Sequence, residues 1–111
     1  MRKLIVVVLA AAVLAALAAT ALAATRYVKV GDNYYVRSSG VPTVTVSKGT
    51  TVVWRFRGDN PHTVSVKRGP ARFSSSVKSS GSYRKRVTRR GTYSIYCKIH
   101  GSDQRMRLVV K

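Results

Sequence analysis

The chain has 111 residues and carries 21 Lys and Arg against three acidic residues, a formal charge of +18. That length admits one small domain beside a targeting segment and excludes a deep active-site cleft backed by a second domain. The charge favours anionic neighbours, and the scattering of Asp32, Asp59 and Asp103 excludes chemistry that needs paired carboxylates.

Residues 1–23 read as an export signal. Arg2 and Lys3 precede an unbroken apolar run from Leu4 to Ala19, and Ala21-Leu22-Ala23 supplies the small residues of an A-x-A cleavage site, so cleavage is expected after Ala23. An uncleaved anchor is the alternative, because the run approaches the length that spans a bilayer. With either fate the domain 24–111 is expected outside the cytoplasm, in a periplasm or on the extracellular side of the envelope, since Arg2 and Lys3 are the only flanking charges at that end to be held inside. An exported basic domain is expected to meet acidic redox proteins, anionic lipid head groups or cell-wall polymers rather than nucleic acid.

Beyond the signal, short β segments alternate with Gly, Pro, Ser and Asn, and no long helical period appears. Strands are expected at Arg26 to Val30, Tyr34 to Val36, Thr43 to Ser47, Thr51 to Arg57, His62 to Lys67, Ser82 to Thr88, Thr92 to Tyr96 and Gln104 to Val110. Eight short strands point to an all-β sandwich or barrel. Lys48-Gly49 and Arg90-Gly91 mark turns between neighbouring segments, and the Ser-rich stretch Ala71 to Gly81 reads as a loop crossing between sheets.

Successive strand residues face opposite sides, so the phase of each segment sorts its side chains. Val52, Trp54 and Phe56 share a face while Arg55 and Arg57 point out. His62 is in phase with Val64 and Val66, Cys97 with Tyr93 and Ile95, and Met106 with Leu108 and Val110. Trp54 and Tyr93 are accordingly read as core rather than as redox groups.

Cys97 is the only cysteine, and an unpaired thiol in an oxidising compartment invites a reason, of which metal ligation is one. The chain's two histidines frame it: Asn60-Pro61-His62 opens one inward-facing segment, and Tyr96-Cys97-Lys98-Ile99-His100 closes another. If those segments are antiparallel neighbours, a thiolate and two imidazoles arrive at one pole, the His₂Cys set that suits copper in electron transfer. Structural zinc usually adds a fourth strong ligand, and no second Cys is available. Spacing alone also leaves open a simple turn histidine and a Cys–His nucleophile pair, the latter lacking an obvious orienting acid or amide.

The stretch Val44 to Trp54, then Asn60-Pro-His-Thr-Val64, then Phe73-Ser, then Gly91 to His100 resembles the plastocyanin and azurin family of small cupredoxins in order and spacing, over nearly all of the mature chain. The resemblance implies a two-sheet Greek-key β-sandwich, one type 1 copper ion and single-electron transfer. It casts His62 as the upstream imidazole ligand, Cys97 as the thiolate, and His100 as the downstream imidazole, near the surface, through which the electron passes.

Two positions depart from the pattern. Family members usually place Met three to five residues beyond the second histidine, where this chain has Asp103, Gln104 and Arg105. Azurin-like spacing puts the axial ligand four residues before Leu108, at Gln104, and a weak amide oxygen is reasonable there for blue copper. Met106, Asp103 and the absence of any axial ligand are the competing readings, Met106 sharing the core phase of Leu108 and Val110. Family members also often carry Asn directly after the first histidine, where Thr63 stands, which puts the usual tie to the adjoining ligand loop in question.

The expected function is therefore an exported, monomeric electron carrier, not an enzyme, with an acidic redox protein docking near His100. A copper store or delivery protein, and a basic sandwich that binds anionic polymer at the cell surface, are the alternatives.

Overall fold

The computed structural model describes residues 24–37 and 40–111. The expected signal segment lies outside them. Eight strands follow in chain order: β1 (Thr25–Gly31), β2 (Tyr34–Tyr35), β3 (Thr43–Val46), β4 (Thr51–Phe56), β5 (Ser65–Arg68), β6 (Ser82–Arg86), β7 (Gly91–Cys97) and β8 (Gly101–Val110). No helix long and apolar enough to cross a membrane occurs among the described residues.

The strands form two four-stranded sheets, ordered β2-β1-β4-β6 and β3-β8-β7-β5. Both are mixed, because β1 pairs in parallel with β4 and β3 in parallel with β8. The alternation read from the sequence sets the inner faces: Val28, Val30, Val52, Trp54 and Phe56 from one sheet meet Val44, Val66, Ile95, Leu108 and Val110 from the other. Phe73 and Tyr83 close the side of this core, each ring about 6 Å from Trp54, at 6.0 and 5.9 Å between centroids. Trp54 and Tyr93 are core residues, as expected. The eight strands and the core named above all fall within residues 24–111.

The Lys48-Gly49 and Arg90-Gly91 turns do not close hairpins. Each carries the chain from one sheet to the other, since β3 pairs with β8 while β4 pairs with β1 and β6, and β6 pairs with β4 while β7 pairs with β8 and β5. Residues 71–81 likewise cross from β5 to β6, as read from their composition.

One strand begins later than its hydrophobic phase suggests. His62 is not in a strand; it makes an isolated antiparallel bridge with Lys78, and β5 starts at Ser65. Residues 62–66 are all buried, because the serine-rich crossing covers the side that alternation would leave exposed. Ser75 Oγ accepts the Val64 N–H at 2.9 Å, and Ser74 Oγ meets Ser65 Oγ at 2.8 Å, so the covered polar groups keep partners.

Candidate metal centre

Antiparallel pairing of β5 with β7 brings the His62 segment beside the end of the cysteine strand, with Ser65 opposite Tyr96 and Val66 opposite Ile95. Cys97 is the last residue of β7, and the turn that follows returns the chain into β8 at Gly101, whose φ of 60° suits a residue without a Cβ. His100 thereby folds back on Cys97, with Nδ1 3.4 Å from Sγ, and its ring centroid stands 4.8 Å from that of His62. One ligand atom from each of His62, Cys97 and His100 lies within 4.8 Å of the others. His62 and Cys97 are buried and His100 is half-buried, so the pole opens to solvent on the His100 side.

The first imidazole is locked by a contact that sequence reasoning missed. Asp32, in the turn after β1, accepts from His62 Nε2 at 2.9 Å, and its carboxylate also accepts the backbone N–H groups of Asp59 and Asn60, each at 3.0 Å. Those bonds, the Asp59 amide first, hold the Asp32 carboxyl down at about 2, well below the usual carboxylate range. A Cβ at position 58 would collide with the Asp32 carboxylate, so Gly58 leaves the room that this reach requires. With Nε2 engaged by a carboxylate, Nδ1 is the His62 nitrogen left to donate a lone pair, the tautomer control that carboxylates exert on metal-binding histidines. Burial depresses the basicity of this ring, but Asp32, Cys97 and Gln104 together outweigh it and hold the imidazole above its ordinary range.

Cys97 feels a similar opposition. Burial pushes its thiol up, yet the backbone amides of Thr63, His100 and Ile99 and the His100 ring draw it down to about 7. A thiolate is therefore accessible near neutrality, which is the form that binds metal.

Thr63 answers the question its position raised. Its Oγ1 accepts the Lys98 N–H at 2.9 Å and meets Ser65 Oγ at 3.0 Å, so a hydroxyl ties the first histidine's segment to the Cys97–His100 turn. The Thr63 carbonyl accepts from Tyr35 OH at 2.7 Å, fixing the same segment to β2. Asn60 contributes through its backbone N–H to Asp32.

Of the axial candidates, Gln104 is fully buried and Asp103 is exposed. Gln104 Nε2 donates to the carbonyls of Gly31 and Tyr34, both at 3.0 Å. Two carbonyl partners fix which end of the amide faces them, because the reverse orientation would set three oxygens against one another. Gln104 Oε1 is thus turned the other way, and it and His62 Nδ1 are buried polar atoms without a hydrogen-bond partner. Orphaned acceptors of this kind are costly in a finished core and ordinary where a cation completes the site. Met106 sits opposite Ile95 in the packed core with Leu108 and Val110, as its phase indicates.

The donor set fits a soft, borderline metal with imidazole, thiolate and weak oxygen ligands. No family model and no curated protein matches the sequence. Among solved structures, oxidised amicyanin with a methionine-to-leucine substitution is 28% identical, covers 78% of this chain and 81% of its own, and superposes with a TM-score of 0.65. Two Cu(I) forms of amicyanin are comparable: a methionine-to-alanine mutant at 27% identity and TM-score 0.65, and a methionine-to-glutamine mutant at 28% and 0.66, each covering 78% of this chain and 82% of its own. The shared sandwich gives the chain a cupredoxin fold, and its His–Cys–His grouping fits the donor set of a blue-copper site.

Proposed function

We propose that this protein binds one copper ion through His62 Nδ1, Cys97 Sγ and His100 Nδ1, with Gln104 Oε1 as a weak axial donor, and carries single electrons. The observation that carries the reading is the convergence of a thiol drawn down to about 7 with two imidazoles, beside two buried polar atoms left without hydrogen-bond partners. Copper held by such donors alternates between Cu(I) and Cu(II), exchanging one electron at a time.

The chain's own residues supply rigidity and access. Asp32 fixes the His62 ring, Thr63 fixes the turn that bears Cys97 and His100, and Gly31 and Tyr34 fix the Gln104 amide. A site held from several sides leaves its donors little room to rearrange between oxidation states, which favours rapid exchange. His100, the half-buried member, is the contact through which a redox partner draws or delivers the electron. Lys98 and Arg105 stand exposed on either side of it in sequence and favour an acidic neighbour there. This makes the protein a carrier rather than an enzyme, acting outside the cytoplasm if residues 1–23 direct export.

Protein-film voltammetry of the copper-loaded protein tests the carrier role. A reversible one-electron wave that persists at fast scan rates is expected. Tight copper binding with no reversible wave would favour storage or delivery instead.

A further inference from the structure

The charge of this molecule is polarised along the strands. All three acidic residues stand at the metal end: Asp32 bonds to His62, the Asp59 amide bonds to Asp32, and the Asp103 N–H donates to the His100 carbonyl at 3.3 Å. The opposite end has none. There Arg26 enters β1, Arg86 closes β6 opposite Thr51, Arg89 and Arg90 precede β7, and Lys48 and Lys111 meet where the Lys48 N–H donates to the Lys111 carbonyl at 2.8 Å. All six of these side chains are exposed. The metal end holds cations too, among them Arg57, Lys78, Lys98 and Arg105, but the three carboxylates there offset part of that charge, and the opposite end has no such offset.

The apolar run Leu4 to Ala19 joins the domain at this same cationic end. Ala24, whose carbonyl accepts the Thr51 N–H at 3.0 Å, follows the run after only Thr20 to Ala23. If the segment is kept, the cationic end is held within a few residues of a bilayer. If it is cut after Ala23, the new α-ammonium adds one more positive charge to the same end. We infer that this pole is a docking surface for anionic lipid head groups, which seats the domain on a membrane with His100 facing away from it. Charge complementarity and the position of the apolar run favour lipid over an anionic cell-wall polymer. The inference does not depend on the metal, because vesicle binding is read without copper.

Residues 24–111 are mixed with sucrose-loaded vesicles of phosphatidylcholine alone or with one third phosphatidylglycerol, and bound protein is measured by sedimentation. Binding to the acidic vesicles only, weakening as salt rises, is expected. Each lysine or arginine near such a surface contributes about fivefold, so Arg86→Gln with Arg89→Gln and Arg90→Gln should lose on the order of a hundredfold. Lys67→Gln with Arg68→Gln and Arg107→Gln, on the outer face of the other sheet, removes the same charge and should lose far less. Circular dichroism checks that each variant is folded, and Lys48→Gln with Lys111→Gln is the second pole variant. Folded protein that ignores acidic vesicles, or equal losses in the two triple variants, overturns the inference. Pole-dependent binding to a soluble polyanion such as dextran sulfate without vesicle binding overturns the lipid assignment.

Discussion

Replacing Thr63 by Val tests whether a single hydroxyl holds the metal-binding turn in place. The change keeps the shape of the side chain but strips the Lys98 N–H of its 2.9 Å acceptor. Ser65 Oγ is not orphaned, because Ser74 Oγ still meets it at 2.8 Å. A donor left without a partner costs about 1–3 kcal/mol, and the partial exposure of this pair argues for the lower part of that range. The new methyl recovers up to about 0.8 kcal/mol of apolar burial. A net loss of about 1 kcal/mol follows, which in a domain of this size lowers the melting temperature by about 4–8 °C. Thermal unfolding of the metal-free protein, followed by circular dichroism, reads that shift, while amide exchange at Lys98 reads the bond itself. Thr63→Ser should restore both. A Val variant that melts with the wild type and keeps its Lys98 amide protected would refute this account of the turn.

Other perturbations address neighbouring residues. Gln104→Met should raise the reduction potential of the copper-loaded protein, because a thioether stabilises Cu(II) less than an amide oxygen does; an unchanged potential in voltammetry would remove Gln104 from the ligand set. Asp32 has a folded pKa of about 2, below its unfolded value near 4. Its stabilising contribution is therefore complete above the unfolded value and lost as pH falls through the folded one. Urea unfolding should thus show wild type more stable than Asp32→Asn at pH 6, with the gap closing between pH 4 and 2, and a gap independent of pH would contradict the His62–Asp32 bond. Gly58→Ala should displace Asp32 and release the His62 tautomer, seen as a changed imidazole nitrogen shift in the metal-free protein; an unaltered shift would mean that the carboxylate needs no such clearance.

Much of this architecture was legible because sheet alternation is a short-range property. Val52, Trp54, Phe56, Tyr93, Ile95 and Leu108 declare their faces within a few residues, and all are buried as their phase requires. The convergence of His62, Cys97 and His100 was legible for a different reason: the chain contains so few soft donors that a metal reading must use these. Gln104 was reached only through the family's spacing from Leu108, and its burial sets it on the inward face with Met106 and Leu108. What local pattern could not supply was contact between loops. Asp32 lies 30 residues from His62, and nothing in its neighbourhood says that the turn after β1 reaches the loop after β4. Its one signal was to be a rare acid in a basic chain. The start of β5 was misplaced for a similar reason: Thr63 and Ser65 look like the exposed half of an alternating strand until the crossing at Ser74 and Ser75 covers them. The parallel pairing of β1 with β4 and of β3 with β8 is likewise a choice made by the whole sandwich rather than by either strand.

The central claim is a copper–thiolate bond at Cys97, and titrating metal-free protein with Cu(II) while recording its visible absorption tests it most directly. One equivalent should produce an intense colour that saturates, with Cys97→Ser colourless and His100→Ala weakened or shifted. A wild-type protein that stays colourless, or a serine variant that keeps the band, would contradict the assignment.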